Sequence, residues 1–376
     1  MRIVFLRSNP VAPDPRVEKE AAALIEGGHH VRVLAWDRTG TARSPLDETL
    51  QVTRYRGRAS FGSGAKNFPR LVLWNLWLMW RLISQHDSYD AVHACDFDTA
   101  LPALLVKRLF GKRLVYDVFD LYSAFEATSW AKRLLKRVLF RAELAVIARA
   151  DATILVDKAR TRQIAGARPR QLEFIYNSPA MSEQLNATPH QRVKGVTRVA
   201  YVGVLFPERG LREMIAVVAD DERYVLEIGG FGPMAGEIAL AASRHRNVVF
   251  HGTLDYASTL ALYGECDVLF ATYDPRVPNH RFSSANKLFE AMMLGKPIIV
   301  AEGTSMDEVV RKYDIGAVVE YGDVESLKRA LAEFGAWETR DWDALAARSR
   351  LVYHAQYSWA TMKERLLKLY TEVPRA

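Results

Sequence analysis

The strongest constraint on the fold is a repeated alternation of short apolar runs with segments of helical periodicity. In the first half of the chain the runs RIVFL, HVRVLAW, DAVHA, KRLVYDV and DATILV have the length and composition of buried strands. The segment RVEKEAAALIEGG has the period of an amphipathic helix and ends at glycines. Strands that alternate with helices predict a parallel sheet with helices on both faces.

The same alternation begins again after a polar, turn-rich segment. RVAYVG, YVLEIGG, NVVFHG, CDVLFAT, PIIVAE and GAVVEY are the expected strands, and GLREMIAVVA and ANKLFEAMMLG are expected helices. We therefore predict an α/β protein with two Rossmann-like, doubly wound domains that face each other across a cleft. The predicted bounds are 1–178 for the first domain, 179–197 for the linker and 198–355 for the second domain. A final helix at 357–372 is expected to cross back to the first domain.

Length and composition agree with two soluble domains. A chain of 376 residues exceeds one ordinary core. Its two cysteines, Cys95 and Cys266, are far apart and have no metal-ligand spacing, so we expect a reducing cytoplasm and no zinc. The N-terminal apolar run reads as a first strand rather than a signal peptide, and the apolar run at 71–80 is too short to span a bilayer. The net charge of +7 favours anionic partners without identifying one.

The stretch SSANKLFEAMMLGKPIIV places a charge pair at the start of a predicted helix. Lys287 and Glu290 are three residues apart and therefore share a face. The free N–H groups of a helix start bind anions, and a lysine in the first turn strengthens the positive field there. A carboxylate one turn further on accepts hydrogen bonds from sugar or ribose hydroxyls. The pattern predicts a nucleotide-sugar clamp; the alternative is a capped helix with a solvated ion pair.

Five motifs then carry a family resemblance. They are DPRVEKEA, VYDVFDLYS, YVGVLFPERGL, IGGFGP and NKLFEAMMLGKPII, in that order. On these motifs nearly the whole chain resembles the retaining glycosyltransferases of the GT-B fold, family four (group 1). The resemblance implies transfer of a hexose, with retention, from a UDP- or GDP-sugar to a lipid-linked or cell-surface glycan acceptor. It also implies that the enzyme uses no metal and no cofactor, the nucleotide sugar being a substrate.

The resemblance also assigns roles to residues. Arg209 and Lys287 would meet the donor diphosphate, and Glu290 would hold ribose or sugar hydroxyls. The further donor-binding residues would be Gly203, Gly230, Gly232, Ser283, Ser284 and Asn286.

On the acceptor side the resemblance points to Asp14, Arg16 and Phe119, with Asp120 in contact with donor sugar or acceptor. The alternative for Asp14 and Arg16 is a helix start with Pro15 at its first position. For Asp120 the alternative is an N-cap of the following helix.

Three positions depart from the family pattern. Phe282 stands where many members have a glutamate that touches the transferred sugar. Val204 replaces an arginine after the glycine of the strand end, and Phe119 replaces a histidine. The diphosphate clamp is kept in this sequence, whereas the sugar end of the site is changed.

Other functions have candidate residues of their own. Gly230, Gly232 and Ala235 fit a dinucleotide fingerprint followed by Asp255, which would make the chain an NAD-dependent oxidoreductase. Pro233 and the position of Asp255 beyond Gly252 fit that motif poorly. A UDP-sugar 2-epimerase of the same fold would need several acidic and histidine groups, for which His93 and His251 are the candidates. No nucleic-acid partner is expected, because the sequence has no motif of such proteins.

One acidic motif resembles a metal site of another fold. DFD at 96–98 matches a two-aspartate motif, but Asp98 and Thr99 precede a helix and read as a cap, so no metal is expected.

Basic and aromatic residues in the first half suggest contact with a membrane. Lys132, Arg133, Lys136, Arg137 and Arg141 lie on a helical segment with an apolar opposite face. Trp74, Trp77 and Trp80 recur every three residues in a nearby segment. These patterns predict a peripheral protein on an anionic membrane, at its cytoplasmic face. The alternative is a pair of buried amphipathic helices with solvated basic faces.

Overall fold

The computed structural model describes residues 1–59, 67–125, 127–180 and 192–373. The chain divides into two compact units, Met1–Tyr176 with Met362–Ala376 and Asn177–Thr361. The predicted linker at 179–197 lies mostly outside the described residues, because 181–191 are not described. No helix in the described ranges has both the length and the apolarity needed to cross a bilayer.

The first unit contains a seven-stranded sheet in which every pairing is parallel. In chain order its strands are β1 (Arg2–Arg7), β2 (His30–Trp36), β3 (Val52–Tyr55), β4 (Ala91–Cys95), β5 (Arg113–Val118), β6 (Ala152–Leu155) and β7 (Leu172–Phe174). Their order across the sheet is β3-β2-β1-β4-β5-β6-β7. The central strands are mostly apolar and are buried along almost their whole length, because both of their faces are covered by helices.

Four helices connect these strands. They are α1 (Pro15–Glu26), α2 (Phe68–Ser84), α3 (Ala100–Phe110) and α4 (Trp130–Arg149). One core cluster joins residues of α2, α3 and α4, including Leu78, Val106 and Ile147, with strand residues such as Leu114. Because right-handed crossovers that advance in the same direction lie on the same side of a sheet, α2, α3 and α4 form a single layer.

The second unit contains a six-stranded parallel sheet. Its strands are β8 (Thr197–Val204), β9 (Tyr224–Phe231), β10 (Val248–Phe250), β11 (Val268–Ala271), β12 (Ile298–Ala301) and β13 (Gly316–Val319). Their order across the sheet is β10-β9-β8-β11-β12-β13. The helices are α5 (Leu211–Ala219), α6 (Ala235–Arg244), α7 (Tyr256–Glu265), α8 (Asn286–Leu294), α9 (Ser305–Tyr313), α10 (Val324–Ala336) and α11 (Thr339–Val352). The predicted fold class, two doubly wound parallel α/β domains, is confirmed.

The last helix, α12 (Trp359–Glu372), contributes its residues from Met362 onward to the first unit. Tyr370 is fully buried, and its hydroxyl lies 2.8 Å from Nδ1 of His93 in β4. The Arg365 guanidinium donates to the carbonyl oxygen of Phe174 at 3.2 Å. Lys363 forms an ion pair with Glu26 at the end of α1. These contacts attach the C-terminal helix to the first sheet.

Candidate active site

Three glycines lie where β8 and β9 end. The φ angle of Gly230 is +134°, and a Cβ on this residue would lie 1.8 Å from the carbonyl oxygen of Gly203. At Gly232 a Cβ would lie 2.7 Å from the carbonyl oxygen of Leu205. Glycine is required at both positions, because the backbone of one strand end passes directly against the other. Bare peptide groups therefore form this edge of the second sheet.

Lys287 lies in the first turn of α8, beside the same edge. The Nζ atom of Lys287 would lie 2.9 Å from a Cβ added to Gly203. The same Nζ atom is 4.2 Å from the centre of the Tyr201 ring. Lys287 is buried, and burial lowers its pKa; the neighbouring Tyr273, Tyr201 and Glu290 raise it, with a net upward shift. Lys287 is therefore a buried cation at the start of a helix, where its charge adds to the field of the free N–H groups.

Arg209 ends the short 3-10 helix Pro207–Arg209, which follows β8. Its guanidinium carbon lies 3.8 Å from the centre of the Tyr273 ring. The backbone of this turn is held by Thr272, whose hydroxyl donates to the carbonyl oxygen of Arg209 at 3.1 Å. Nη1 of Arg209 is buried and has no hydrogen-bond partner within the described ranges. A buried donor without an acceptor is costly, and a bound anion would satisfy it.

Glu290 lies one turn after Lys287 in α8 and is buried. The Tyr256 hydroxyl hydrogen-bonds to this carboxylate, and the pKa of Tyr256 is raised by burial and by the negative charge of Glu290. Glu290 is thus a fixed carboxylate rather than a solvated one. This corrects the alternative of a solvated ion pair, because both Lys287 and Glu290 are less than a tenth exposed.

The segment that leads into α8 contains the predicted serines. The carbonyl oxygen of Ser283 accepts a hydrogen bond from the Ser305 hydroxyl at 3.1 Å. The Ser284 hydroxyl is buried without a partner among the residues described. Asn286 is the first residue of α8 and is exposed. Ala285 is the N-cap and has no side chain able to bond the helix N–H groups. No side chain therefore caps the start of α8, although the N–H of Leu288 donates to the carbonyl oxygen of Ala285 at 3.0 Å.

Two tyrosines of this site were missed in the sequence. Tyr201 lies inside β8 and Tyr273 follows β11, and both are buried aromatic residues in apolar surroundings. Nothing in their spacing distinguishes them from core aromatics. The ring of Tyr201 nevertheless lies against Lys287, and the ring of Tyr273 lies against Arg209.

Two of the departures from the family pattern lie beside this site. Phe282 is half-buried at the end of the short helix His280–Phe282, which precedes Ser283. Val204 ends β8 and is exposed. Both place an apolar side chain where many family members have a charged one.

In the first unit, Asp14 and Arg16 have structural partners. Asp14 is the N-cap of α1, and its carboxylate also accepts from Arg7 at 2.8 Å. Arg16 is buried, binds Asp117 at 2.9 Å and Glu20 at 3.0 Å, and donates to the carbonyl oxygen of Ile175. These placements favour the helix-start alternative over a role in acceptor binding.

Phe119 and Asp120 follow β5. The guanidinium of Arg7 lies 4.1 Å from the centre of the Phe119 ring. Asp120 has a largely exposed side chain that binds Arg160 at 3.0 Å. The alternative that Asp120 caps the next helix is wrong, because Ser129 is the N-cap of α4. Asp120 is therefore a solvent-accessible carboxylate after a strand end.

The first aspartate of the DFD motif is occupied by other contacts. Asp96 binds Arg7 at 2.5 Å and accepts the backbone N–H of Phe119 at 2.9 Å. Burial, opposed by the charge of Arg7, raises the pKa of Asp96 to about 7. Thr99 has the N-cap position of α3, but its hydroxyl bonds carbonyl oxygens instead of the helix N–H groups, so the predicted side-chain cap is wrong.

One group of possible metal ligands occurs in the described part of the chain. His93, Cys95 and Asp117 bring a ligand atom each to within 4.8 Å of one another in the first sheet. Asp117 is already paired with the guanidinium of Arg16, and His93 with the hydroxyl of Tyr370. Since all these side chains are buried, the group is better explained as an internal charge network.

The residues of the alternative functions also have structural roles. Asp255 is the exposed N-cap of α7 and accepts the Ser258 N–H at 2.7 Å, so it does not lie at a strand end as a ribose-binding acid would. His251 binds the buried carboxylate of Glu227 at 2.7 Å.

Two family models match the chain. Glycosyltransferase Family 4 matches residues 16–178, and Glycosyl transferases group 1 matches residues 183–355. Among curated protein sequences no match was found.

Solved structures with the same fold have low sequence identity to this chain. Sucrose-phosphate synthase (tll1590) from Thermosynechococcus elongatus is 17% identical, with a TM-score of 0.75 and 99% of each chain covered. Anabaena Alr3699/HepE in complex with UDP-glucose is 17% identical, with a TM-score of 0.70 and 99% of each chain covered. WaaG, involved in lipopolysaccharide biosynthesis, is 15% identical, with a TM-score of 0.69, 98% of this chain and 100% of that chain covered. The two family matches, which together span 16–178 and 183–355, and this shared fold show that the chain belongs to the GT-B glycosyltransferases of family four and group 1.

Proposed function

We propose that this glycosyltransferase moves a hexose from a nucleotide diphosphate, a UDP- or GDP-sugar, with retention of configuration and without a metal ion. The observation that carries the donor assignment is the pair of cations in the second unit, Arg209 and Lys287. Each rests on a tyrosine ring instead of a carboxylate. Their charge is thus left for an anion, and Nη1 of Arg209 is a buried donor without an acceptor among the described residues.

The chemistry of the leaving group explains why two cations are needed. Negative charge grows on the nucleoside diphosphate as the bond to the sugar breaks. Fixed positive charges and the free N–H groups of a helix start stabilise that charge more in the transition state than in the ground state. Arg209, Lys287 and the start of α8 supply these groups. Glu290, held by Tyr256, accepts hydrogen bonds from ribose or sugar hydroxyls.

Two further points support the donor and the stereochemistry. The Anabaena structures are complexes with UDP and with UDP-glucose. Their fold is that of the present chain, which favours a UDP-sugar here. Retention of configuration is proposed because of the family resemblance. Proton NMR of the first-formed product would test it, since the coupling constant of the anomeric proton reports the configuration of the new bond.

For the acceptor we propose a lipid-linked or cell-surface glycan, reached by a peripheral enzyme on the cytoplasmic face of an anionic membrane. The support is the basic and apolar outer surface of helices in the first unit. Asp120 is our candidate for contact with donor sugar or acceptor, since its carboxylate is largely exposed. If Asp120→Asn keeps normal turnover, that role is wrong.

The donor is tested by thermal unfolding of the purified protein with UDP, GDP, ADP, NAD or buffer alone. A ligand at one hundred times its dissociation constant stabilises the folded state by about 2.7 kcal/mol. We expect a rise in the melting temperature with UDP or GDP, and no rise with UDP or GDP for Arg209→Ala. A rise with NAD alone would overturn the donor assignment. Full transfer activity in excess EDTA is the expected result for a metal-independent enzyme.

A further inference from the structure

Helices α2, α3 and α4 present one continuous outer surface, here called the α2–α4 surface. Helix α2 packs on α3, and α3 packs on α4. Their inner faces share one core cluster, so their remaining faces point away from the sheet together. The surface lies in the first unit, whereas Arg209 and Lys287 lie in the second.

The α2–α4 surface is unusually apolar. Of the 21 large hydrophobic side chains that are exposed within the described ranges, 12 belong to these three helices. They recur at helical spacing along the outer faces and include Leu73, Trp80, Leu101, Leu109, Trp130 and Leu134. The side chain of Trp130 is 72% exposed. An exposed patch of this extent on a soluble protein marks a site of interaction.

Two of the three tryptophans predicted to face a membrane lie in the core or against it. Trp74 is fully buried and Trp77 is half-buried, and their rings stack with centroids 5.4 Å apart. Residues three apart on a helix lie 300° apart around the axis, so the third tryptophan, Trp80, is turned outward. The exposed apolar face of α2 is therefore not a row of tryptophans; it is formed by Phe68, Val72, Leu73, Leu76, Trp80 and Ile83.

The charge of the α2–α4 surface has one sign. The only acidic residue within the three helices is Glu143, which is fully buried and accepts the backbone N–H groups of Tyr122 and Ser123. The exposed basic residues are Arg70, Arg108, Lys132, Arg133, Arg137, Arg141 and Arg149. Lys136, also predicted to face a membrane, is half-buried and donates to the carbonyl oxygen of Phe125 at 3.0 Å. Cations interspersed with exposed apolar side chains match a bilayer, whose anionic headgroups cover hydrocarbon.

We propose that the α2–α4 surface is the face by which the enzyme docks on an anionic lipid bilayer. This inference rests on the proposed function, because docking on the bilayer would give the enzyme access to a lipid-linked acceptor. A second copy of the chain fits less well, because a two-fold contact through this surface would place like charges opposite each other. A nucleic acid would leave the apolar side chains without a partner. The apolar residues enter the headgroup region while the arginines and lysines contact lipid phosphates.

The test compares sedimentation of the full-length protein with vesicles of phosphatidylcholine alone and of phosphatidylcholine with phosphatidylglycerol, without donor or acceptor. We expect binding to the anionic vesicles only. The double variant Arg133→Glu/Arg137→Glu should weaken binding at least about tenfold. The matched control is Arg244→Glu/Arg246→Glu, an equal change of charge at exposed arginines of the second unit, and it should weaken binding less than about twofold.

Insertion of the apolar side chains needs a second measurement. Brominated lipid quenches tryptophan fluorescence only at contact, so anionic brominated vesicles should quench the wild type more than Trp80→Phe/Trp130→Phe. Equal binding to both lipid compositions, or unchanged binding of Arg133→Glu/Arg137→Glu, would overturn the proposal. So would a dimer in solution that the same variant dissociates.

The outcome is separable from that of the donor assignment. Stabilisation by UDP or GDP depends on Arg209 and Lys287 and should be the same in Arg133→Glu/Arg137→Glu as in the wild type. If the wild type is stabilised by nucleotide but does not bind anionic vesicles, the docking surface alone is rejected. Vesicle binding without nucleotide stabilisation would reject the donor assignment alone.

Discussion

The Nζ atom of Lys287 lies 4.2 Å from the centre of the Tyr201 ring, and the nearby Arg209 guanidinium lies on Tyr273 in the same way. An aromatic ring attracts a cation through its quadrupole and leaves its charge intact. A carboxylate at either position would neutralise the cation and repel a diphosphate. The two tyrosines therefore hold the cations in place and add no negative charge of their own.

Removal of Arg209 should affect turnover far more than stability. If its guanidinium neutralises the leaving diphosphate, Arg209→Ala should lower kcat by a factor on the order of a hundred. Steady-state kinetics with the donor found by thermal shift would measure the loss. The matched control is Arg212→Ala, because Arg212 is exposed and paired with Glu237. Loss of similar size in both variants, or a mild loss in Arg209→Ala with the fold intact, would contradict the assignment.

Tyr273 should act through Arg209, as a positioning residue. Tyr273→Phe keeps the ring and should leave the Michaelis constant for the donor nearly unchanged. Tyr273→Leu removes the ring and should raise that constant by up to about tenfold, since a desolvated cation–π contact contributes on the order of 1–2 kcal/mol. A structural role alone would lower the melting temperature without this difference in donor affinity. Equal kinetics of the two variants would therefore reject the positioning role.

Central strands such as β4 and β11 were predictable because they are short, mostly apolar runs that are buried on both faces. Two edge strands, β3 and β7, were not predicted. Their residues are only partly buried, and the sequences VTRY and LEF show neither a continuous apolar run nor enough length for an alternating one. They form because a neighbouring strand offers hydrogen bonds, which is a tertiary effect absent from local sequence.

The candidate site was predictable only in its charged part. Lys287 and Glu290 are noticeable because charges are rare in a helix as apolar as α8. Tyr201 and Tyr273 have no such contrast with their surroundings. Arg16 shows the opposite error, since its position after a strand suggested a ligand contact, whereas Asp117, which lies 101 residues further along the chain, binds it in the interior. Partners distant in sequence decide whether a charge is functional or structural.

Gly230 should not tolerate a side chain. Gly230→Ala would place a methyl group 1.8 Å from the carbonyl oxygen of Gly203 and require a non-glycine residue at a φ of +134°. Separation of β8 from β9 at their ends should destabilise the protein by more than about 2 kcal/mol and abolish the stabilisation by nucleotide. Differential scanning fluorimetry with and without UDP measures both effects.

The matched control for this change is Gly236→Ala. Gly236 lies in α6 and has an ordinary helical backbone, and a methyl group added there would meet no atom within 4 Å. Alanine at this position should stabilise the protein by about 0.5–1 kcal/mol, because glycine loses more conformational freedom on folding. If both alanine variants melt at the wild-type temperature, the close approach of the two strand ends is wrong.

Asp96 should make stability depend on pH below neutrality. Burial, with partial opposition from Arg7, raises its pKa to about 7. An acid whose pKa is higher in the folded than in the unfolded state binds protons more tightly when folded, so stability decreases as pH rises from about 4 to about 7. Three pKa units correspond to a contribution on the order of 4 kcal/mol. Asparagine at position 96 cannot titrate, so the stability of Asp96→Asn should decrease less between pH 5 and pH 8 than that of the wild type. The urea midpoints at the two pH values measure this difference.

The control for the pH effect is Asp90→Asn, because the Asp90 carboxylate titrates below pH 5. Hydrogen bonds from Arg2 lower the pKa of Asp90 to about 2, so it stays ionised from pH 5 to pH 8. Asp90→Asn should therefore move the urea midpoints at both pH values by the same amount and leave the difference between them as in the wild type. If Asp96→Asn also leaves that difference unchanged, Asp96 is ionised across this range, and its pairing with Arg7 outweighs the cost of its burial.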